Sequence, residues 1–149
     1  YNIYNIYNMQ VDWLIILVIL CVCLKWCSDN KKKETMVNTT VMKVSVNNNK
    51  FTIDGQEAPP LTLQQGTETY PKIYLFKLDE AKMGDHVFVL TKGDTDGGSY
   101  ATEMTEKDGV LNNGVSKGTV SLKVTESTPQ TFYYNCAKHK GMGSGIILI

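Results

Sequence analysis

The chain contains no arginine, since all fifteen of its basic residues are lysine. A guanidinium group grips phosphates and base edges through two parallel hydrogen bonds, which a lysine ammonium does not reproduce. Fifteen acidic residues balance the lysines, so the formal net charge is zero. Neither feature is typical of a nucleic-acid-binding protein, and we predict no nucleic-acid partner.

Histidine and cysteine are also scarce, with two histidines and four cysteines in 149 residues. Cys21, Cys23 and Cys27 lie in or beside an apolar run near the amino end, which leaves Cys136 alone in the rest of the chain. This distribution does not indicate a framework of disulfide bonds. An isolated thiol with a histidine three residues further on is more often a ligand or a nucleophile.

One apolar run interrupts an otherwise polar amino end. It covers Trp13 to Leu24 and extends to a segment of residues 11–27. The run is short beside the twenty or so residues of a bilayer span, and its length also suits the core of a signal peptide. No positive charge precedes it and no small-residue cleavage site follows. We therefore expect an uncleaved transmembrane or signal-anchor helix at 11–27, after a disordered tail at 1–10 and before a polar linker at 28–40.

From residue 41 to residue 149 the sequence changes to short alternating segments separated by turn residues. About eight strands are predicted, and no stretch has the pattern of a long amphipathic helix. Strands of this length at spacings of about ten residues indicate an all-β Greek-key sandwich of two sheets. The strand candidates are VMKVSV, KFTID, LTLQQG, KIYLFKL, HVFVL, TVSLKV, TFYYNC and GIILI.

A thiol, an imidazole and a thioether recur at every third position near the carboxyl end, as Cys136, His139 and Met142. The other histidine of the chain, His86, lies at the start of the apolar segment HVFVL. A thiolate and two imidazoles with a weak axial thioether suit copper in both of its oxidation states. The alternative is a chance coincidence of a buried cysteine, a surface histidine and a core methionine, with His86 as a satisfied histidine at the end of a strand.

The run TFYYNCAKHKGMGSGIILI, preceded by GDHVFVL, resembles the cupredoxin family, which includes plastocyanin and amicyanin. The resemblance covers roughly residues 41–149, and the short gap from His139 to Met142 is similar to the amicyanin loop. It implies one type 1 (blue) copper ion with His86, Cys136, His139 and Met142 as its ligands. Many relatives carry Asn or Pro after the first histidine, where Val87 stands here.

The resemblance also implies a function as a carrier of single electrons between a donor and an acceptor redox protein, not as an enzyme. The domain is expected to be monomeric, with His139 as the port for the electron. Lys138 and Lys140 flank that histidine, and they are interpreted either as a basic rim that steers an acidic partner or as a solvated turn.

The side of the membrane is left open by two conflicting signals. Lys25 and the lysines at 31–33 follow the apolar run, and the positive-inside rule places them in the cytosol. Resemblance to the cupredoxins favours an extracytoplasmic copper domain.

Two other functions use the same fold. One is copper sequestration or delivery through the same ligands, and the other is a metal-free structural or interaction module. A multicopper oxidase would need further pairs of histidines, and a binuclear copper centre would need a second cysteine in the loop.

Overall fold

The structure is a computed structural model that describes residues 15–25, 38–93 and 103–149. The chain divides into two compact units, Tyr1–Met36 and Val37–Ile149. The predicted tail at 1–10, both ends of the predicted anchor and most of the predicted linker lie outside the described residues.

The described part of the first unit is a helix, α1 (15–25), whose residues are all exposed. Among the described residues, no helix combines the length and the apolar character that a bilayer crossing requires. The helix falls within the segment 11–27, and its role as a membrane anchor stays a prediction.

The described part of the second unit is built from ten strands, which form two sheets. Two short helices, α2 (Glu80–Met83) and a 3₁₀ turn (Glu106–Asp108), connect them. The strands are β1 (Asn38–Asn47), β2 (Lys50–Ile53), β3 (Gln56–Glu57), β4 (Leu61–Leu63), β5 (Lys72–Leu78), β6 (Phe88–Thr91), β7 (Val110–Leu111), β8 (Thr119–Val124), β9 (Thr131–Cys136) and β10 (Ser144–Leu148).

The larger sheet has the strand order β3-β2-β1-β5-β8-β7, and the smaller one has the order β4-β10-β9-β6. The β1–β5 and β4–β10 pairs are parallel, and the other pairs are antiparallel. The prediction of an all-β, two-sheet fold is confirmed. Strand β1 starts at Asn38 and not at Val41, because its first three residues already pair with the start of β5.

Aromatic side chains from both sheets meet in the core behind the carboxyl end of β9. The Phe88 ring centroid lies 5.2 Å from that of Phe51, 5.3 Å from Phe76 and 5.9 Å from Tyr134. Such ring pairs contribute about 0.5–1.5 kcal/mol each beyond their buried area. Burial raises the pKa of the Tyr134 phenol, which donates a hydrogen bond to the Pro59 carbonyl at 2.7 Å. These rings fix β6 and β9 relative to the opposite sheet.

Candidate metal centre

The antiparallel pairing of β6 with β9 brings together two stretches that lie fifty residues apart in sequence. Phe88, at the start of β6, is directly opposite Cys136, at the end of β9. The pairing continues by one more bond, in which the Ala137 backbone N–H donates to the Val87 carbonyl at 2.9 Å. His86 therefore lies beside the loop of residues 137–143 that follows Cys136.

The turn after α2 orients the residues that lead into His86. Gly84 ends that helix with a φ of 58° and a ψ of −127°, a positive-φ conformation that favours glycine. The His86 backbone N–H then donates to the Met83 carbonyl at 3.0 Å. These two features fix the backbone on both sides of Asp85.

Three donor atoms converge where the two stretches meet. The Cys136 Sγ lies 3.8 Å from the His86 Nδ1 and 3.5 Å from the His139 Nδ1. The two Nδ1 atoms are 2.9 Å apart. The two nitrogen–sulfur distances are shorter than the roughly 4.3 Å that one metal–nitrogen and one metal–sulfur bond span end to end at zinc-like lengths, and the nitrogen–nitrogen distance is shorter than the roughly 4.1 Å that two metal–nitrogen bonds span. The donor set therefore fits a single small metal ion.

The chemistry of the donors narrows the choice of metal. A thiolate with two imidazoles selects soft or borderline ions, and a trigonal set of one Cys and two His with a weak axial thioether is the blue-copper arrangement. Met142 follows His139 in the same loop, and its side chain is 1% exposed. The fold and the arrangement of His86, Cys136, His139 and Met142 fit one type 1 copper ion.

The Cys136 sulfur is buried and accepts one hydrogen bond from the backbone. Its residue is 3% exposed, and the Lys138 N–H donates to Sγ at 3.5 Å. Val87 contributes only its carbonyl, which accepts from Ala137, so no side chain at position 87 donates to the thiolate. The backbone hydrogen bond to the Cys136 sulfur therefore comes from Lys138, two residues further along the chain.

The beginning of β2 anchors the ligand loop near Met142. The Phe51 N–H donates to the Met142 carbonyl at 2.9 Å, and the Lys50 ammonium donates to the Gly141 carbonyl. Sequence reasoning missed Lys50, because it lies 91 residues from Gly141 and no local pattern connects them.

Sequence reasoning also missed Asp85, whose carboxylate faces both imidazoles. Its Oδ1 lies 3.9 Å from the His86 Nε2, and its Oδ2 lies 3.9 Å from the His139 Nε2. The signal available in the sequence was its position directly before His86, in GDHVF.

Two glycines of the loop and one at the start of β10 have different structural roles. Gly141 adopts a φ of 64°, which the turn requires. A Cβ at Gly143 would overlap the Tyr134 carbonyl oxygen, because the loop passes directly against β9 there. At Gly145 a Cβ would make an ordinary contact of 3.7 Å with the Tyr133 ring.

Comparison with known proteins supports the fold. No family model matches the chain, and no curated protein matches it. Solved structures of rusticyanin do match. The protein from Thiobacillus ferrooxidans is 18% identical, with 75% of this chain and 78% of that chain covered and a TM-score of 0.50. A variant with glutamine in place of a methionine is 18% identical over the same shares, with a TM-score of 0.51.

A further structure, described as the copper protein rusticyanin, is 16% identical with 75% and 78% covered and a TM-score of 0.50. At these identities the similarity shows the fold, which is that of the cupredoxins. The predicted cupredoxin fold is therefore confirmed.

A Gly143→Ala substitution should disrupt the loop. The added Cβ would lie 2.6 Å from the Tyr134 carbonyl carbon and 3.0 Å from the Asn135 Cα, so the backbone must move. We expect the free energy of unfolding, measured by urea denaturation, to fall by about 1–3 kcal/mol. Gly145→Ala is the matched control and should change it by less than about 1 kcal/mol. Equal effects of the two substitutions would contradict the close approach at Gly143.

Proposed function

We propose that this chain is a blue-copper protein that carries single electrons, with His86, Cys136 and His139 as equatorial ligands and Met142 as the axial ligand. The observation that carries the proposal is the convergence of Cys136 Sγ and the two Nδ1 atoms, at 2.9–3.8 Å from one another, within a cupredoxin fold. When bound, copper supplies a one-electron couple between Cu(II) and Cu(I).

The protein fixes the backbone of the ligand residues by strand pairing and by backbone hydrogen bonds. The pairing of β6 with β9 holds Cys136 and the chain just after His86, and the Phe51 N–H of β2 holds the Met142 carbonyl. Ligands fixed in this way need little rearrangement when the metal changes its oxidation state, which favours fast electron exchange. A delivery protein gains no such advantage from rigidity, so the anchored loop favours electron transfer over sequestration.

His139 supplies the access route for partners in this proposal. Its side chain is 43% exposed, whereas that of His86 is 14% exposed. A redox donor and a redox acceptor would each approach the ring edge of His139, between the exposed lysines Lys138 and Lys140. This arrangement supports an electron carrier, since the exposed ring edge offers an electron path to a docked partner.

The location of the protein is the remaining part of the proposal. The apolar segment 11–27 supports a single-pass membrane anchor, and the resemblance to cupredoxins supports an extracytoplasmic copper domain. Both rest on the sequence alone, in which the lysines after the apolar run favour the opposite side of the membrane.

The ligand role of Cys136 is tested by titrating the purified full-length chain with Cu(II). We expect an intense visible absorption band at one equivalent, from charge transfer between thiolate and Cu(II), and its complete loss in Cys136→Ser. Cys23→Ser is the matched control, since Cys23 is an exposed cysteine of α1, and it should keep the band. A colourless chain that binds Cu(I) tightly would indicate delivery, and no metal uptake would indicate an interaction module. Either result overturns the proposal.

The axial role of Met142 is tested through the reduction potential of the copper-loaded chain. Met142→Leu should keep the colour and raise the potential by about 59 mV, equivalent to a tenfold lower preference for Cu(II), because a weak donor to Cu(II) is lost. Met104→Leu is the control, since Met104 is also 1% exposed. A potential that is the same in Met142→Leu and in the unaltered chain would remove Met142 from the ligand set.

The basic rim is tested with a charge reversal at Lys138 and Lys140. The double substitution to Glu should slow reduction of the Cu(II) protein by hexacyanoferrate(II) about tenfold at low ionic strength, and salt should abolish the difference. Glu substitutions at Lys43 and Lys77, neighbours on β1 and β5, make the same charge change in the larger sheet and serve as the control. Equal rates for both double variants would show that the rim does not steer partners.

A further inference from the structure

The Asp85 carboxylate lies along the outer edges of both ligand imidazoles. Each of its oxygens faces one ring, at 3.9 Å from the His86 Nε2 and 3.9 Å from the His139 Nε2. The two rings meet edge to face, with centroids 4.5 Å apart and planes at 64°. One short side chain therefore reaches two imidazoles that come from different parts of the chain.

The inner edges of the same rings face the sulfur. Both Nδ1 atoms lie within 3.8 Å of the Cys136 Sγ, so each imidazole has sulfur near one nitrogen and carboxylate oxygen near the other. A ligand histidine is commonly oriented by a carboxylate or carbonyl on its second nitrogen, which fixes the tautomer and makes the first nitrogen a better donor. Here a single carboxylate faces both ligand rings.

The distances determine how Asp85 acts. At 3.9 Å both contacts exceed the 2.7–3.2 Å of a direct hydrogen bond, so the carboxylate acts through its charge on the polarised Nε2–H groups. The Asp85 side chain is 69% exposed, and solvent screening keeps such an interaction weak. We therefore expect the effect of Asp85 on metal affinity to lie at the low end of the range for residues that orient metal ligands.

We infer that Asp85 is a positioning residue of the metal centre, which favours the Nε2–H form of both imidazoles and so directs both Nδ1 atoms to the metal. As a negative charge beside both ligands, it also stabilises Cu(II) relative to Cu(I). This inference rests on the proposed function as far as copper is concerned. In the metal-free chain this preference acts against an Nδ1–H on either ring, which the 2.9 Å distance between the two Nδ1 atoms would otherwise favour as a hydrogen bond.

The first experiment needs no metal. Nitrogen-15 NMR of the imidazole rings in the full metal-free chain, at one mildly alkaline pH, reports the share of each tautomer. Asp85→Asn should raise the Nδ1–H population, averaged over the two rings, about threefold relative to Nε2–H, as expected for an exposed charge. Asp85→Glu, which keeps the charge, should restore most of the original ratio. Unchanged tautomers in Asp85→Asn would overturn the positioning role.

The second experiment uses the copper-loaded chain. Asp85→Asn should lower the ratio of Cu(II) to Cu(I) affinity about tenfold, which is a rise of about 59 mV in reduction potential, and Asp85→Glu should reverse most of it. Asp79→Asn is the charge-matched control, because Asp79 pairs with Lys82 at 3.7 Å, and it should leave the potential unchanged.

The results distinguish a failure of the Asp85 role from a failure of the proposed copper function. If the unaltered chain binds copper with the expected colour and Asp85→Asn changes neither the tautomers nor the potential, the role of Asp85 is refuted and the proposed function stands. If the unaltered chain takes up no copper, the proposed function fails, and the tautomer measurement still decides whether Asp85 orients the rings. Equal shifts of the reduction potential in Asp79→Asn and Asp85→Asn would show that the effect comes from the overall charge of the protein, which would refute a local role for Asp85.

Discussion

The pairing of β6 with β9 is the constraint on which the candidate centre depends. It sets Phe88 opposite Cys136 and so places His86 beside the loop that contains His139. A slip of one residue would turn every side chain of β6 to the other face of the sheet. The ring contacts of Phe88 with the opposite sheet make such a slip costly, so the packing of the core fixes the register that brings the donors together.

Much of this arrangement follows from local sequence. Cys136, His139 and Met142 lie close together in sequence, and β5, β8 and β9 match their predicted limits. In β5 and β8 buried residues alternate with more exposed ones, whereas in β9 the alternation ends at Tyr134, and the last three residues are all buried. The two-residue strands β3 and β7 are too short to carry an alternating pattern, and neither was predicted.

Lys50 and Asp85 were not predicted from the sequence, because their positions at the centre depend on tertiary structure. Lys50 reaches the ligand loop only because β2 lies against it, and Asp85 faces His139 only after β6 has paired with β9. His86 was inferred because no other histidine was available, and the strand register supplies the physical reason for its position. Local patterns thus indicate the kind of site, whereas long-range pairing determines which charged groups surround it.

X-ray absorption at the copper edge of the 149-residue chain, loaded with one equivalent of copper, measures whether His86, Cys136 and His139 bind the metal. We expect one short copper–sulfur bond and two copper–nitrogen bonds in the unaltered chain. The short copper–sulfur bond should be lost in Cys136→Ser, and one copper–nitrogen bond should be lost in His86→Ala. A copper ion that keeps the same neighbours in both variants would show that these donors, although they lie within 3.8 Å of one another, do not hold the metal.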